Sequence, residues 1–330
     1  MIPRPALFII AIFCVLSFSR AISVADGETT KKPLQLPPIT VTATRSEMSL
    51  DSVPAAVGVV GRTEIQSARQ TISLDESLNR IPGVFVQNRY NFAQDLRISI
   101  RGFGARAAFG VRGIKLLVDG IPETTPDGQS QVDNIDLGST DRIEIIRGAT
   151  SSLYGNAAGG VISIITESGP ETPFVEFRPT IGAFGLEKYQ LKTGGQSGNL
   201  NYLLNLSRMD LSGFREHSRT EDFRLNSKVR YTIYPASDLT TVVNFVNAPT
   251  ALDAGALTRE QVESDPKQAA VQNVALDAGE SVMQGRIGAI YRHRLSHAHE
   301  IALTLYGLFR DFNQALPFNR AVDFDTSIEL

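Results

Sequence analysis

Two short loops set arginine beside aromatic and amide side chains, a mixture suited to holding a polar, aromatic ligand. The first, residues 88–95 (NRYNFAQD), offers Arg89, Tyr90, Phe92 and Gln94, and the second, residues 104–112, offers Arg106, Phe109 and Arg112. Loops carry binding residues disproportionately, and guanidinium groups make charge-assisted hydrogen bonds to anions. The plainer reading of each is a solvated surface loop. A different chemistry attaches to ITVTATR, residues 39–45, which follows Leu36, Pro37 and Pro38. The prolines remove backbone donors and keep the chain out of a helix, while Ile39, Thr40, Val41, Thr42, Ala43 and Thr44 favour an extended strand. A lone strand has free N–H and C=O groups with which to add to a partner's sheet, or it is simply the first strand of the domain that follows.

Other patterns carry less. Residues 102–107, GFGARA, match the G-x-G-x-x-A of a dinucleotide-binding turn, with Asp119 seventeen residues beyond Gly102. That turn has to open a helix, and Gly110 and Gly113 interrupt the one required. His293, His297 and His299 cluster, but Glu300 is the single acid beside them, so a solvated turn is preferred to a metal centre. No Ser/His/Asp set, carboxylate pair or zinc spacing makes a reaction centre. The expectation is therefore a protein that is not an enzyme and has neither cofactor nor metal. With 32 basic against 35 acidic residues there is no electrostatic footprint for nucleic acid.

The elements that position these residues follow from punctuation and periodicity. Residues 1–25 read as a secretory signal, with Arg4 at its start, an apolar run over residues 6–18 and Ser23-Val24-Ala25 as a small-residue cleavage site. That run falls short of the roughly 20 residues a spanning helix needs. Cys14, the single cysteine, lies inside it, so a mature chain has no thiol chemistry. Residues 26–45 form a polar arm ending in the strand-like segment. From 46 to 172 the texture is mixed. Short strands are expected at 57–60, 84–87, 97–101 and 115–119. Short helices are expected at 63–67 and 73–80, the second capped by Ser73 with Glu76 three residues on. Residues 141–166, DRIEIIRGATSSLYGNAAGGVISIIT, join two β-branched runs through a Gly/Ala/Ser hinge that should stay extended.

Beyond Pro173 long alternating strands take over. Over 222–234, Phe223, Leu225, Val229, Tyr231 and Ile233 share one face, and Arg224, Asn226, Lys228 and Arg230 share the other. Such strands, apolar outward and polar inward, fit a transmembrane barrel. Seven are expected, at 174–183, 187–196, 199–209, 222–234, 238–247, 282–294 and 300–312. Tight turns near 198, 236 and 297 alternate with long connections at 210–221 and 248–281, the latter containing a helical turn at 258–262.

The wording of residues 143–166 closely resembles the end of the plug domain of TonB-dependent outer-membrane receptors. IPGV, ISIRGFGAR and VDGIP appear earlier in the order that family shows, and ITVTATR resembles its TonB box. The resemblance implies an α+β plug, a small mixed sheet with short helices, over residues 46–172. It then implies the first seven or so strands of a 22-stranded antiparallel β-barrel over 173–330. It further implies residence in the outer membrane of a Gram-negative bacterium, in contact with its lipid. Residues 39–44 would pair with the TonB energy-coupling protein, and Arg89, Tyr90, Phe92, Gln94, Arg106, Phe109 and Arg112 would face a ferric siderophore or similar iron chelate. Cobalamin or carbohydrate remains open as the solute. Seven strands cannot enclose a plug, so a longer protein or a truncated, non-transporting product is expected.

Overall fold

The computed structural model describes residues 40–42, 48–107, 110–125, 127–296 and 299–329, with side chains as far as residue 318. The signal segment and Ile39, Ala43, Thr44, Phe109 and His297 lie outside the described residues. Residues Ile39–Leu330 gather into one compact unit.

The first half of that unit runs β1 (Thr40–Val41), β2 (Met48–Ser49), β3 (Ala56–Gly61), α1 (Arg62–Gln66), α2 (Asp75–Leu78), β4 (Val84–Gln87) and β5 (Arg97–Ile100). It continues through β6 (Val111–Arg112), β7 (Ile114–Val118), β8 (Ile121–Pro122), β9 (Gln129–Ser130), β10 (Thr140–Arg147), α3 (Ser151–Tyr154) and β11 (Gly160–Thr166). Five of these strands form a mixed sheet in the order β3-β10-β11-β7-β8, in which only the β11–β7 pair is parallel. The β-branched runs flanking the hinge are its centre, with Ile143 opposite Ile164 and Ile145 opposite Ile162. Both faces are covered, which is why these runs are apolar on both sides apart from Glu144 and Ser163. Ile143, Ile145, Ile162 and Ile164 pack with Ile65 of α1, Leu78 of α2 and Ile98 of β5, while Ile146 and Val161 pack on the opposite side with Leu117 and Ala157.

Two local expectations are corrected. The hinge is not extended throughout: residues Ser151–Tyr154 make one helical turn, closed by Gly155 at φ +70°. The close approach expected of its glycines is present at Gly160, where a Cβ would collide with the Ile146 carbonyl oxygen. The second helix is shorter than 73–80, and the Ser73 side chain does not cap it. Glu76 instead reaches back and accepts the backbone N–H groups of Thr71, Ile72 and Ser73, at 3.0, 2.6 and 3.2 Å. Around Gly102 and Gly104 the chain turns back on itself through a Ile100–Phe103 bridge, and no helix opens there.

The second half is an eight-stranded antiparallel sheet in sequence order: β12 (Phe174–Ile181), β13 (Glu187–Ser197), β14 (Leu200–Leu211), β15 (Thr220–Tyr234), β16 (Ser237–Leu252), β17 (Gly279–Arg294), β18 (Glu300–Leu316) and β19 (Asn319–Glu329). Seven match the expected strands, and β19 is an eighth that weaker alternation hid. The sheet is open, since β12 and β19 do not pair. Connections at 198–199, 235–236 and 295–299 lie at one end, here the turn end. The longer ones at 212–219 and 253–278 lie at the other, the loop end. The two-residue link at 317–318 is also at the loop end, so the alternation of turn lengths is not strict. The strands run further than expected, up to 17 residues in β18, which shortens the long connections. The helical turn in the longest is real: α4 (Arg259–Ser264) carries a full capping box from Thr258 and Gln261, and α5 (Val271–Ala275) follows it.

Candidate functional site

The small sheet lies against the inner face of the long strands, and polar side chains hold it there. Lys188, Gln190 and Lys192 alternate inward along β13, each bonded to the small domain. Lys188 Nζ donates to the Thr71 carbonyl at 2.5 Å, Gln190 Nε2 to the Gly138 carbonyl at 3.2 Å, and Lys192 Nζ to Glu167 at 2.9 Å. On β15, Arg224 donates to the Ile135 carbonyl at 2.6 Å, Asn226 to Asp136 at 3.2 Å and Lys228 to Asp119 at 2.8 Å. These are the charged-face residues that the alternation singled out. Arg286 of β17 and Glu123 form an ion pair with both side chains fully buried. Burial pushes the Glu123 carboxyl up, against the pull of the Arg286 charge. The opposite face of the long strands leaves Val175, Phe177, Ile181, Leu303 and Leu305 exposed.

At the loop end a solvent-open cleft of about 690 Å³ separates the small domain from β15, β16 and β17. Asn88, Arg89, Asn91, Phe92 and Gln94 form one wall, and Thr220, Arg224, Ala248 and Glu280 stand opposite. Arg89, Phe92 and Gln94 are thus brought together on one wall. Tyr90 is 79% exposed, with the Arg89 guanidinium 5.4 Å from its ring centroid. Arg106 is exposed and lies off the cleft, as does Arg112 in the β6–β9 ladder. Neither Arg89 nor Arg112 is a free cation. Arg89 pairs with the buried Asp75 at 2.5 Å, and Arg112 donates to Asp127 at 3.2 Å and to Gln129 at 2.7 Å. Asp75 accordingly holds the Arg89 guanidinium above its ordinary pKa, and the Thr125 hydroxyl, more than Arg112, holds Asp127 below its own.

Sequence reasoning missed the residues that fasten the cleft. Asp253, at the root of the longest loop, accepts from Asn91 Nδ2 at 3.0 Å and Gln94 Nε2 at 3.1 Å, and Asn273 of α5 donates to its carbonyl at 3.1 Å. Asp95 accepts the Gly110 N–H at 2.7 Å. Burial, then the charge of Asp133, push the Asp95 carboxyl up to about 6. Only an acid in a loop next to Gln94 signals this, and the pattern is too common to have pointed to it.

The strand-like segment is the second candidate site. Thr40 and Val41 pair antiparallel with Ser49 and Met48, and Val41 is fully buried. Thr42 donates its backbone N–H to Glu144 Oε2 at 2.8 Å, and Arg142 Nε donates to Glu144 Oε1 at 2.8 Å. Glu144 sits in the interior strand β10, between β3 and β11, with no exposed surface. Of the histidines, His293 shares a hydrogen bond with Ser237 at 2.6 Å and His299 one with Ser296 at 3.0 Å.

Comparison with known proteins bears on the small domain first. The family model for the TonB-dependent Receptor Plug Domain matches residues 49–161. Residues 49–161 form a TonB-dependent receptor plug domain. The plug and first barrel strands also superpose on solved receptors. The unliganded ferric citrate transporter FecA gives a TM-score of 0.66 at 22% identity, covering 79% of this chain and 40% of that one. The ferric yersiniabactin uptake receptor FyuA from Yersinia pestis gives 0.64 at 17% identity, covering 79% and 41%. At those identities the likeness is one of fold. Among relatives by sequence, the vitamin B12 transporter BtuB of Vibrio cholerae is 31% identical over 171 residues, half of this chain and 27% of the relative. A hemin receptor of Yersinia enterocolitica is 34% identical over 161 residues, 48% of this chain and 22% of the relative. The chain therefore spans only about a quarter of the length of these relatives.

Proposed function

We propose that this chain is the front part of an outer-membrane receptor of a Gram-negative bacterium that takes up a scarce metal chelate. Its apolar outer strand face would meet lipid, and its residues 39–44 would couple it to the TonB energy-coupling protein. The observation that carries the reading is the plug itself, seated on the polar inner face of the long strands with a cleft at the loop end. Ligand entering from outside meets Arg89, Tyr90, Phe92 and Gln94 at the plug apex, with Arg106, Phe109 and Arg112 in the neighbouring loop. Strand addition of Thr40 and Val41 to a partner requires first that they leave Met48 and Ser49 and that Thr42 leave Glu144. Pulling on that segment would then act on β3, the edge strand of the plug sheet, and open a path past it.

The proposed ligand is a ferric siderophore or similar iron chelate. A second reading, a cobalamin, is favoured by the amides of Asn88, Asn91 and Gln94 along the cleft and by the names of the relatives matched over half of the chain. Deleting the gene in its native host and measuring accumulation of radioiron chelates, labelled haemin and labelled cyanocobalamin separates them. Loss of one uptake activity identifies the ligand. Unchanged accumulation of every metal chelate in the panel would contradict the chelate reading and favour a carbohydrate receptor or a non-transporting surface protein.

A further inference from the structure

The cleft has an electrostatic sign opposite to the one its arginines suggest. Each guanidinium around it is already neutralised from within the protein: Arg89 by Asp75 at 2.5 Å, Arg224 by Asp222 at 3.1 Å, and Arg310 by Asp133 at 2.9 Å. The Arg224 Nε donor that lacks a partner is buried, and what is left open to the cleft includes unpaired acceptors. Glu280, facing the cleft from β17, makes no hydrogen bond or ion pair among the described residues; burial and the nearby Asp133, Asp95 and Asp253 push its carboxyl well up, so a cation set against it would favour its ionised form. The opposite wall agrees on independent grounds. A carboxylate can only accept, so with both Asp253 oxygens occupied by the amide nitrogens of Asn91 and Gln94, the amide oxygens must point the other way. The Asn91 oxygen takes the Ala93 N–H at 3.2 Å, whereas the Gln94 oxygen has no donor among the described residues. An anionic group against this part of the cleft would meet unpaired acceptors and no free cation.

We propose that the part of the cleft bounded by Gln94 and Glu280 receives a positively charged, N–H-donating group of the ligand, an ammonium or guanidinium, and disfavours carboxylate. The proposal rests on the receptor reading, in which the loop end is the ligand's entrance, and it specifies the chemistry of one subsite there. Asp253 is the positioning residue, because it fixes which end of the Gln94 amide the ligand sees.

The sign of the cleft can be measured without knowing the ligand. In the full-length protein, with no other cysteine present, Ala248→Cys and separately Ser73→Cys place a thiol in the cleft wall. Each is modified with the cationic trimethylammonioethyl and the anionic sulfonatoethyl methanethiosulfonate, and the rate ratio is compared with that of free mercaptoethanol. Thiolate content cancels in the ratio, leaving the local potential. Measured above the pH at which Glu280 ionises, the expected ratio exceeds the free-thiol value at least about fivefold, and Glu280→Gln removes more than half of the excess. A ratio at or below the free-thiol value, a ratio indifferent to Glu280→Gln, or failure of both thiols to react would overturn the proposal. The receptor reading fails separately, on the uptake of the deletion strain.

Discussion

At the scale of single residues, the arginines show how far sequence reading carries and where it stops. Arg89 was legible as a loop cation; that Asp75, fourteen residues earlier and buried at the start of α2, neutralises it was not, because the pairing depends on how α2 packs beside β4. Arg89→Ala should therefore act on stability, lowering it by about 1 kcal/mol in denaturant titration because the pair is half exposed on the arginine side. Arg106→Ala, at an exposed residue off the cleft, should leave the same titration unchanged. Asp95 gives a pH-dependent counterpart. Its folded pKa, about 6, is raised above that of an unfolded aspartate, so the ionised form opposes folding. The penalty is absent below the unfolded value near 4 and grows as pH rises through 6. Asp133 and Glu280 repel the Asp95 carboxylate and Arg310 attracts it. Asp95→Asn should thus stabilise the protein by about 1 to 3 kcal/mol at pH 8 and by nearly nothing at pH 4, read as two melting curves. Equal effects at the two pH values would contradict this account of the carboxylate cluster.

Among the elements, those built from strong local signals were readable and those built by tertiary contact were not. The runs around Ile143–Ile146 and Val161–Ile165 declared the centre of the plug sheet through β-branched content alone. The inward face of β15 declared itself through Arg224, Asn226 and Lys228. By contrast α3 was hidden in the Gly/Ala/Ser hinge, since a single turn of Ser-Ser-Leu-Tyr has no period to detect. The ends of β16, β17 and β18 were hidden because register shifts between Ala248 and Ala251 and between Gln314 and Leu316 interrupt the alternation there. Glu144 was also invisible: an acid inside an isoleucine run gives no hint that it holds a segment about a hundred residues away. Glu144→Ala should release residues 40–42 from β10. Hydrogen exchange at the Thr42 amide would report it as loss of protection, with about 1 to 3 kcal/mol lost from the plug as Arg142 is left without this acceptor. Unchanged protection would mean that the β1–β2 pairing alone secures the segment.

For the whole molecule, what matters is that the eight long strands form an open sheet around one side of the plug. Edge strands in lipid carry unsatisfied N–H and C=O groups at several kcal/mol each, so a preparation of residues 26–330 alone should produce no conductance in planar bilayers. Steady conductance from that fragment would mean that the sheet closes by another route, such as self-association. The polar fastening of plug to strands, with Glu123–Arg286 and Asp119–Lys228 as buried or nearly buried pairs, suits the proposed coupling, in which the plug stays seated until force reaches it from Thr40 and Val41. Mechanical coupling through that segment is the central claim. It is tested most directly by measuring binding and uptake of the identified ligand side by side in the full-length receptor and its Val41→Pro variant. Proline removes the ladder donor at that position and should abolish uptake while leaving binding affinity within about twofold. Normal uptake by the Val41→Pro receptor would contradict the account.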